Sequence, residues 1–124
     1  MAKMITPNFS VSEMTCRCGC GLNEMDEEFM KMLQALRDEM QIPLKVTSGV
    51  RCQRHNKNVS STGKNGPHTH AKAADILISG SKAMQMFDKA REIGFNGIGL
   101  SQKGDHSKRF VHLDTLGREA LWTY

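Results

Sequence analysis

Two short segments of this chain alternate apolar and polar residues, and the polar side carries the same kind of chemistry in both. In Ala74–Ile78, the residues Ala74, Ile76 and Ile78 share one face of an extended strand, and Asp75 stands on the other. In Phe110–Asp114, Val111 and Leu113 share the apolar face, whereas Phe110, His112 and Asp114 point to the opposite side. If the two strands are neighbours, Asp75, His112 and Asp114 converge on one polar face. The apolar faces then need a cover, and the rest of the chain offers helices for it.

Ser10 followed by Glu13 is a capping-box pattern for a short helix. A longer helix is expected from about Asp26 to Met40, with Phe29, Leu33, Leu36 and Met40 on one stripe and Pro43 marking its end. "LKVTSG" reads as a strand that leads into a long polar loop, Val50–His68. Loops of that length inside compact domains are usually functional. After the strand "KAADILI", a second helix spans roughly Ser81–Ile93, with Met84, Phe87 and Ala90 turned inward and Gly94 stopping it. "GIGL" and "RFVHLD" are short strands around the turn-rich "SQKGDHSK". The 124 residues suffice for one domain, 1–124, with its own core. The expected class is α+β: a small, mainly antiparallel sheet with helices packed on one side.

Composition narrows the function. The formal net charge is +4, from 17 basic and 13 acidic residues, but these are scattered, with no basic run and no aromatic ladder for bases to stack on. A nucleic-acid partner is not expected. The N-terminal "MAKMITPNFSVSEM" has no apolar core of a signal peptide, and no segment approaches the roughly 18 apolar residues of a membrane span. The expectation is synthesis in the cytoplasm without membrane insertion, with release by other means if the substrate lies outside. A monomer is the expected state.

The loop-to-strand stretch "GPHTHAKAADILI" holds His68, His70 and Asp75. Imidazole and carboxylate are the usual ligands of catalytic zinc, which keeps three protein ligands and leaves a fourth position open. His68, Asp75 and His112 would supply three. The residues alone permit an equally simple reading, in which His68 caps a turn, Asp75 is a solvated strand residue and His112 a satisfied surface histidine. No H-E-x-x-H helix, the commonest zinc-protease signature, is present.

Three ordered motifs carry a resemblance: "SGVR" (Ser48–Arg51), "GPHTHAKAAD" (Gly66–Asp75) and "FVHLD" (Phe110–Asp114). Together they resemble the zinc D-alanyl-D-alanine metallopeptidases, grouped structurally with lysostaphin and the hedgehog signalling domain. Their pattern is S-G-x-R, then S-x-H-x-x-G-x-A-x-D, then a late histidine on a strand. The resemblance runs from about Phe9 to Trp122 and is strongest to small members, often of phage or prophage origin, that share the early cysteine-rich segment. It implies zinc as cofactor, His68, Asp75 and His112 as its ligands, and Arg51 with Ser48 at the substrate cleft. There Arg51 would hold a peptide carboxylate or stabilise charge building on the scissile carbonyl. The implied substrate is a peptidoglycan stem peptide or cross-link containing D-amino acids, cut by a carboxypeptidase or an endopeptidase, and a phage lysis enzyme is one setting for it.

The chain departs from that pattern in two ways. Gly66 stands for the motif serine and Ala71 for the motif glycine. Ala71 adds one methyl group, which matters only if the backbone there needs a positive φ. The general base is the larger gap. Many relatives carry an acid three residues before the last histidine ligand, where this chain has Arg109, or a histidine two before it, where this chain has Phe110. Asp114 is the nearest carboxylate on the right strand face and the candidate base, or else the residue that orients His112. Asp105, His106 and His70 are loop alternatives. The missing acid also leaves room for a second reading, a zinc-bearing but non-catalytic wall-binding or phage structural module.

Cys16, Cys18, Cys20 and Cys52 pose a separate question. C-x-C-x-C is tighter than the C-x₂₋₄-C of structural zinc sites, although four thiols suffice for one. Cytoplasmic synthesis argues against disulfides inside the cell, though one could form after release. Free thiols, a disulfide to Cys52 and a structural metal all stay open at this level.

Overall fold

The computed structural model describes residues 3–124. A small hairpin opens the chain, β1 (Met4–Thr6) against β2 (Phe9–Ser10). Ser10 then caps α1 (Val11–Met14) with the capping box read from the sequence: its hydroxyl accepts from the Glu13 backbone N–H, and Glu13 accepts from the Ser10 N–H. The long helix α2 (Glu27–Met40) starts where Asp26 accepts the Phe29 N–H, and it stops at Gln41, which adopts a left-handed conformation (φ 55°) before Ile42-Pro43.

Five further strands form one sheet in the order β3 (Lys45–Ser48), β4 (Ala73–Leu77), β6 (Phe110–Asp114), β5 (Gly97–Ser101) and β7 (Ala120–Thr123). The first four strands in that order pair antiparallel, and β7 joins parallel to β5. The fold is α+β with a mainly antiparallel sheet, as the sequence predicts. Val46, Ala74, Ile76, Ile98, Val111 and Leu113 make its apolar face. That face is covered by α2 and by α4 (Gly80–Ile93), whose inward residues join it in one core. Phe29 of α2 meets Phe95 edge to face at 5.7 Å, the arrangement the aromatic quadrupole favours. Among the described residues no helix is long and apolar enough to cross a membrane.

Three expectations need correction or addition. The stretch 50–68 is not a structureless loop. It holds helix α3 (Gln53–Val59), capped by Cys52, and ends in a 3₁₀ turn at Pro67–His70. Short polar helices with no apolar stripe give no period to read, which is why the segment reads as loop. In α4 the inward face is Ala83, Met86 and Ala90, with Phe87 partly buried, whereas Met84 is 73 % exposed. The stripe read from the sequence was rotated by part of a turn. The strand β7 was not expected, because "ALWT" follows a glycine turn and is too short to show alternation.

The core assignment makes a direct prediction. Met86→Ala empties a fully buried position and should cost about 2–5 kcal/mol in urea unfolding. Met84→Ala should change stability by no more than about 0.5 kcal/mol. A larger loss at Met84 than at Met86 would overturn the packing described for α4.

Candidate metal centre

The face of the sheet away from the helices carries the polar residues, and strand register brings them together. Asp75 of β4 lies directly opposite His112 of β6, and Asp114 lies opposite Ala73. Continuing across the sheet, His112 faces Gly99 of β5, which faces Trp122 of β7. His68 reaches the same point from the 3₁₀ turn that precedes β4. That turn ends at Ala71, whose φ is 59°. The methyl group there sits in the left-handed region where the related motif has glycine, a conformation that costs an L-residue roughly 1 kcal/mol.

His68 Nε2 and His112 Nδ1 approach the same carboxylate oxygen, Asp75 Oδ1, at 3.2 and 2.9 Å. One ligand atom from each of the three residues lies within 4.8 Å of the others, and all three side chains are buried. The remaining ring nitrogens have acceptor partners. His68 Nδ1 lies 2.7 Å from the Gly49 carbonyl, and His112 Nε2 lies 2.8 Å from Asp114 Oδ2. Each is placed to donate its N–H outward, which leaves the nitrogen beside Asp75 as the one that a metal would take in place of its proton. Metal-binding histidines are oriented in this way, by a carbonyl or carboxylate on the far nitrogen. A tetrahedral ion with bonds of about 2.0–2.1 Å sets N and O ligands roughly 3.3 Å apart. The three groups thus fit a metal ion after a small widening.

The electrostatics agree with this arrangement. Burial opposes ionisation of Asp75, but hydrogen bonds to His112 and His68 outweigh it and hold the carboxyl well below the usual carboxylate range. Burial pushes His112 toward neutrality, yet the carboxylates of Asp114 and Asp75 on either side raise its pKa overall. Asp114 likewise stays ionised against burial, through His112 and through Arg118, whose Nη1 donates to Oδ1 at 2.7 Å and Nη2 to Oδ2 at 3.3 Å.

Arg51 completes the group. Its Nε donates to Ser48 Oγ at 3.1 Å, Nη1 to Asn56 Oδ1 at 3.0 Å, and Nη2 lies 3.4 Å from Asp75 Oδ2. The fully buried Asn56 donates in turn to Thr62 and to the Gly63 carbonyl, so Arg51 is tied to the 60–63 loop. A Cβ at Gly66 would run into the Thr62 side chain, which accounts for glycine where the related motif has serine. Arg51, His68, Asp75 and His112 line one open cavity of about 730 Å³, together with the aromatic residues Phe110, Trp122 and Tyr124.

The sequence-predicted residues therefore separate. His68, Asp75 and His112 meet, and Arg51 stands beside them. Ser48 is buried, holds Arg51, and is not among the cavity-lining residues. Asp114 is fully buried, lies on the side of His112 away from Asp75, and does not line the cavity. His70, Asp105 and His106 are exposed and outside the group, with Asp105 engaged in capping Ser107. Arg109 folds back onto the Gly104 carbonyl.

Sequence reasoning missed Gly97, Gly99, Arg118 and Trp122. A Cβ at Gly97 would collide with the Asp114 carboxylate, and one at Gly99 would come within 2.6 Å of the Trp122 indole nitrogen. The indole instead leans over Gly99 to pack against His112 in a tilted arrangement, with ring centroids 5.0 Å apart. Alternating glycines in "GIGL" were the available signal, since glycine inside a strand often marks close approach by another group.

A family model described as Peptidase M15 matches residues 7–114. The match runs from the β1–β2 turn to the end of β6, so it includes His68, Asp75, His112 and Arg51 and leaves β7 outside. No curated protein matches the chain.

The hydrogen bond between Asp114 and His112 gives a prediction for metal binding. Asp114→Asn should keep the fold and weaken metal affinity by roughly 10–100-fold, measured by competition with a chelator. Unchanged affinity in a folded variant would remove Asp114 from the centre.

Proposed function

The chain belongs to the peptidase M15 family of metallopeptidases, and from that membership and the site geometry we propose that it is a zinc-dependent hydrolase of peptide bonds involving D-amino acids in peptidoglycan stem peptides or cross-links. The observation that carries the proposal is the convergence of His68 Nε2, Asp75 Oδ1 and His112 Nδ1 at the edge of a cavity that Arg51 also lines. Two imidazoles and a carboxylate are a ligand set typical of catalytic zinc, and zinc held there would polarise a carbonyl and acidify a water. His68, Asp75 and His112 are the proposed ligands. The resemblance in the three sequence motifs supplies the substrate class, and a role in wall degradation during phage lysis fits it.

The chain's own residues have distinct tasks in this reading. Asp114 and the Gly49 carbonyl orient the two imidazoles. Ser48 and Asn56 hold the Arg51 guanidinium in place, so it meets a peptide carboxylate or a developing oxyanion without reorganising. Phe110, Trp122 and Tyr124 offer an apolar wall to a peptide side chain. Of the two roles the sequence permits for Asp114, its burial and its pairing with Arg118 favour orientation over proton transfer.

One observation favours a second reading, a zinc-bearing module that binds wall peptides without cleaving them. Among the cavity-lining residues the only carboxylate is Asp75 and the only imidazoles are His68 and His112, all three being proposed ligands. No separate side chain of the usual type stands ready to take a proton. The acidifying effect of zinc on water lessens that need, because such water already ionises near neutral pH, and the enzyme reading is therefore preferred.

Digestion of purified peptidoglycan followed by mass analysis separates the two. The enzyme should yield stems shortened by one D-alanine or opened cross-links, with loss of all product under a chelator and recovery on adding zinc. Arg51→Ala should lower kcat/KM by roughly 10²–10³-fold while zinc stays bound. Wall binding with zinc present and no product would establish the non-catalytic module instead.

A further inference from the structure

Away from this cavity-lining group, three cysteines of one loop meet a fourth from a distant segment. Cys16, Cys18, Cys20 and Cys52 each place Sγ within 4.8 Å of the other three. The Cys16–Cys18 and Cys18–Cys52 separations are 3.5 and 3.7 Å, and all four are free thiols. A tetrahedral ion with bonds of about 2.3 Å to sulfur sets neighbouring sulfurs roughly 3.8 Å apart. We propose that these four cysteines form a closed structural site for a thiophilic divalent cation of the zinc class, separate from the site of Asp75.

The backbone explains how so tight a C-x-C-x-C run can serve. Gly19 and Gly21 both adopt left-handed conformations, each with φ 85°. Gly19 turns the chain between Cys18 and Cys20, and Gly21 turns it again directly after Cys20. The three cysteines thus gather round one point instead of standing in a row along one face, roughly 6.7 Å apart, as alternate residues of a strand would. Residue 52 supplies the fourth sulfur from the turn between β3 and α3. Two backbone N–H groups already point at the sulfurs, Cys52 N at Cys16 Sγ (3.4 Å) and His55 N at Cys52 Sγ (3.3 Å). Such bonds favour the thiolate that a metal requires. The Arg54 guanidinium lies beside Cys18 and offsets part of the negative charge of four thiolates. Soft thiolates select zinc-like ions over magnesium or calcium.

The clamp has a structural consequence for the cavity. Cys52 follows Arg51 directly, and the same junction is held by the Val50 N–H donating to the Met14 carbonyl. The loop 15–22 and the turn bearing Arg51 are otherwise joined by few bonds. A metal bridging Cys16, Cys18, Cys20 and Cys52 would fix that turn, and Arg51 with it, from behind.

The test uses the full chain prepared under reducing conditions, with zinc and cobalt(II) as probes. Zinc-loaded protein should contain about two metal ions per chain, falling to about one in the double variant C20S/C52S and to about one in His68→Ala. Cobalt-loaded His68→Ala should retain the intense sulfur-to-metal charge-transfer band, and C20S/C52S should lose it. On the unaltered protein, thiol titration should be at least tenfold slower with zinc bound than after chelation, a readout that holds even if a variant fails to fold. Equal thiol reactivity in the zinc-loaded and chelated protein, or the absence of the sulfur band from a folded His68→Ala, would overturn the proposal. Because the band and the thiols report on sulfur alone, this outcome is independent of whether His68, Asp75 and His112 bind zinc.

Discussion

Everything at the polar face depends on one cross-strand pair, Asp75 opposite His112. A buried carboxylate in an apolar strand is costly unless its oxygens are engaged. Here Oδ1 faces two imidazoles and Oδ2 faces Arg51. Because side chains alternate with period two, a one-residue slip of β4 against β6 would send Asp75 into the helix-covered core and Ile76 onto the cavity side. The apolar partners Ala74, Ile76, Val111 and Leu113, all fully buried, lock the register against such a slip. The packing of α2 and α4 thereby positions groups that neither helix touches.

Once the register is set, the arrangement grows outward as a chain of hydrogen bonds. His112 is held between Asp75 and Asp114, and Asp114 in turn is held by Arg118. Arg118 lies over the Trp122 ring, 5.7 Å from its centroid, and Trp122 packs at a tilt against His112. This closes a loop that returns to the same imidazole. The two glycines of β5 are what permit it, since any side chain there would displace Asp114 or the indole. A polar network in which every member is satisfied in this way rigidifies a site, whereas a partly satisfied one would be a liability.

Much of this was legible in the sequence, and the legible part has a common physical origin. Strand alternation alone puts Asp75, His112 and Asp114 on one face, and helix periodicity identifies Phe29, Leu33, Leu36 and Met40 as buried. Both follow from local geometry that repeats every two or 3.6 residues. What was not legible depends on contacts between segments without a period. The α3 helix has no apolar stripe, and β7 is four residues long. Arg118 and Trp122 become part of the site only because β7 adds parallel to β5, a pairing that no local pattern encodes. The role of Asp114 belongs to the same class. Its strand face is readable, but its burial beneath Arg118 and its place on the outer nitrogen of His112 are tertiary facts.

The two metal-suited clusters are joined through adjacent residues of a single turn. Arg51 faces Asp75, and Cys52 faces the other three thiols. In an extended segment neighbouring side chains point to opposite sides, and Cys52, the cap residue ahead of α3, is extended. The turn can therefore serve a cavity on one side and a thiol cluster on the other without either intruding on its neighbour. Ser48 and Asn56 restrain the guanidinium from the front, while the sulfurs restrain its backbone from behind. Pre-organisation of a charged group requires restraint of both its side chain and its main chain, because freedom in either lets the charge relax away from the position it must hold when a substrate arrives. On this view the cysteine loop is part of what keeps Arg51 in place, although none of its residues lines the cavity.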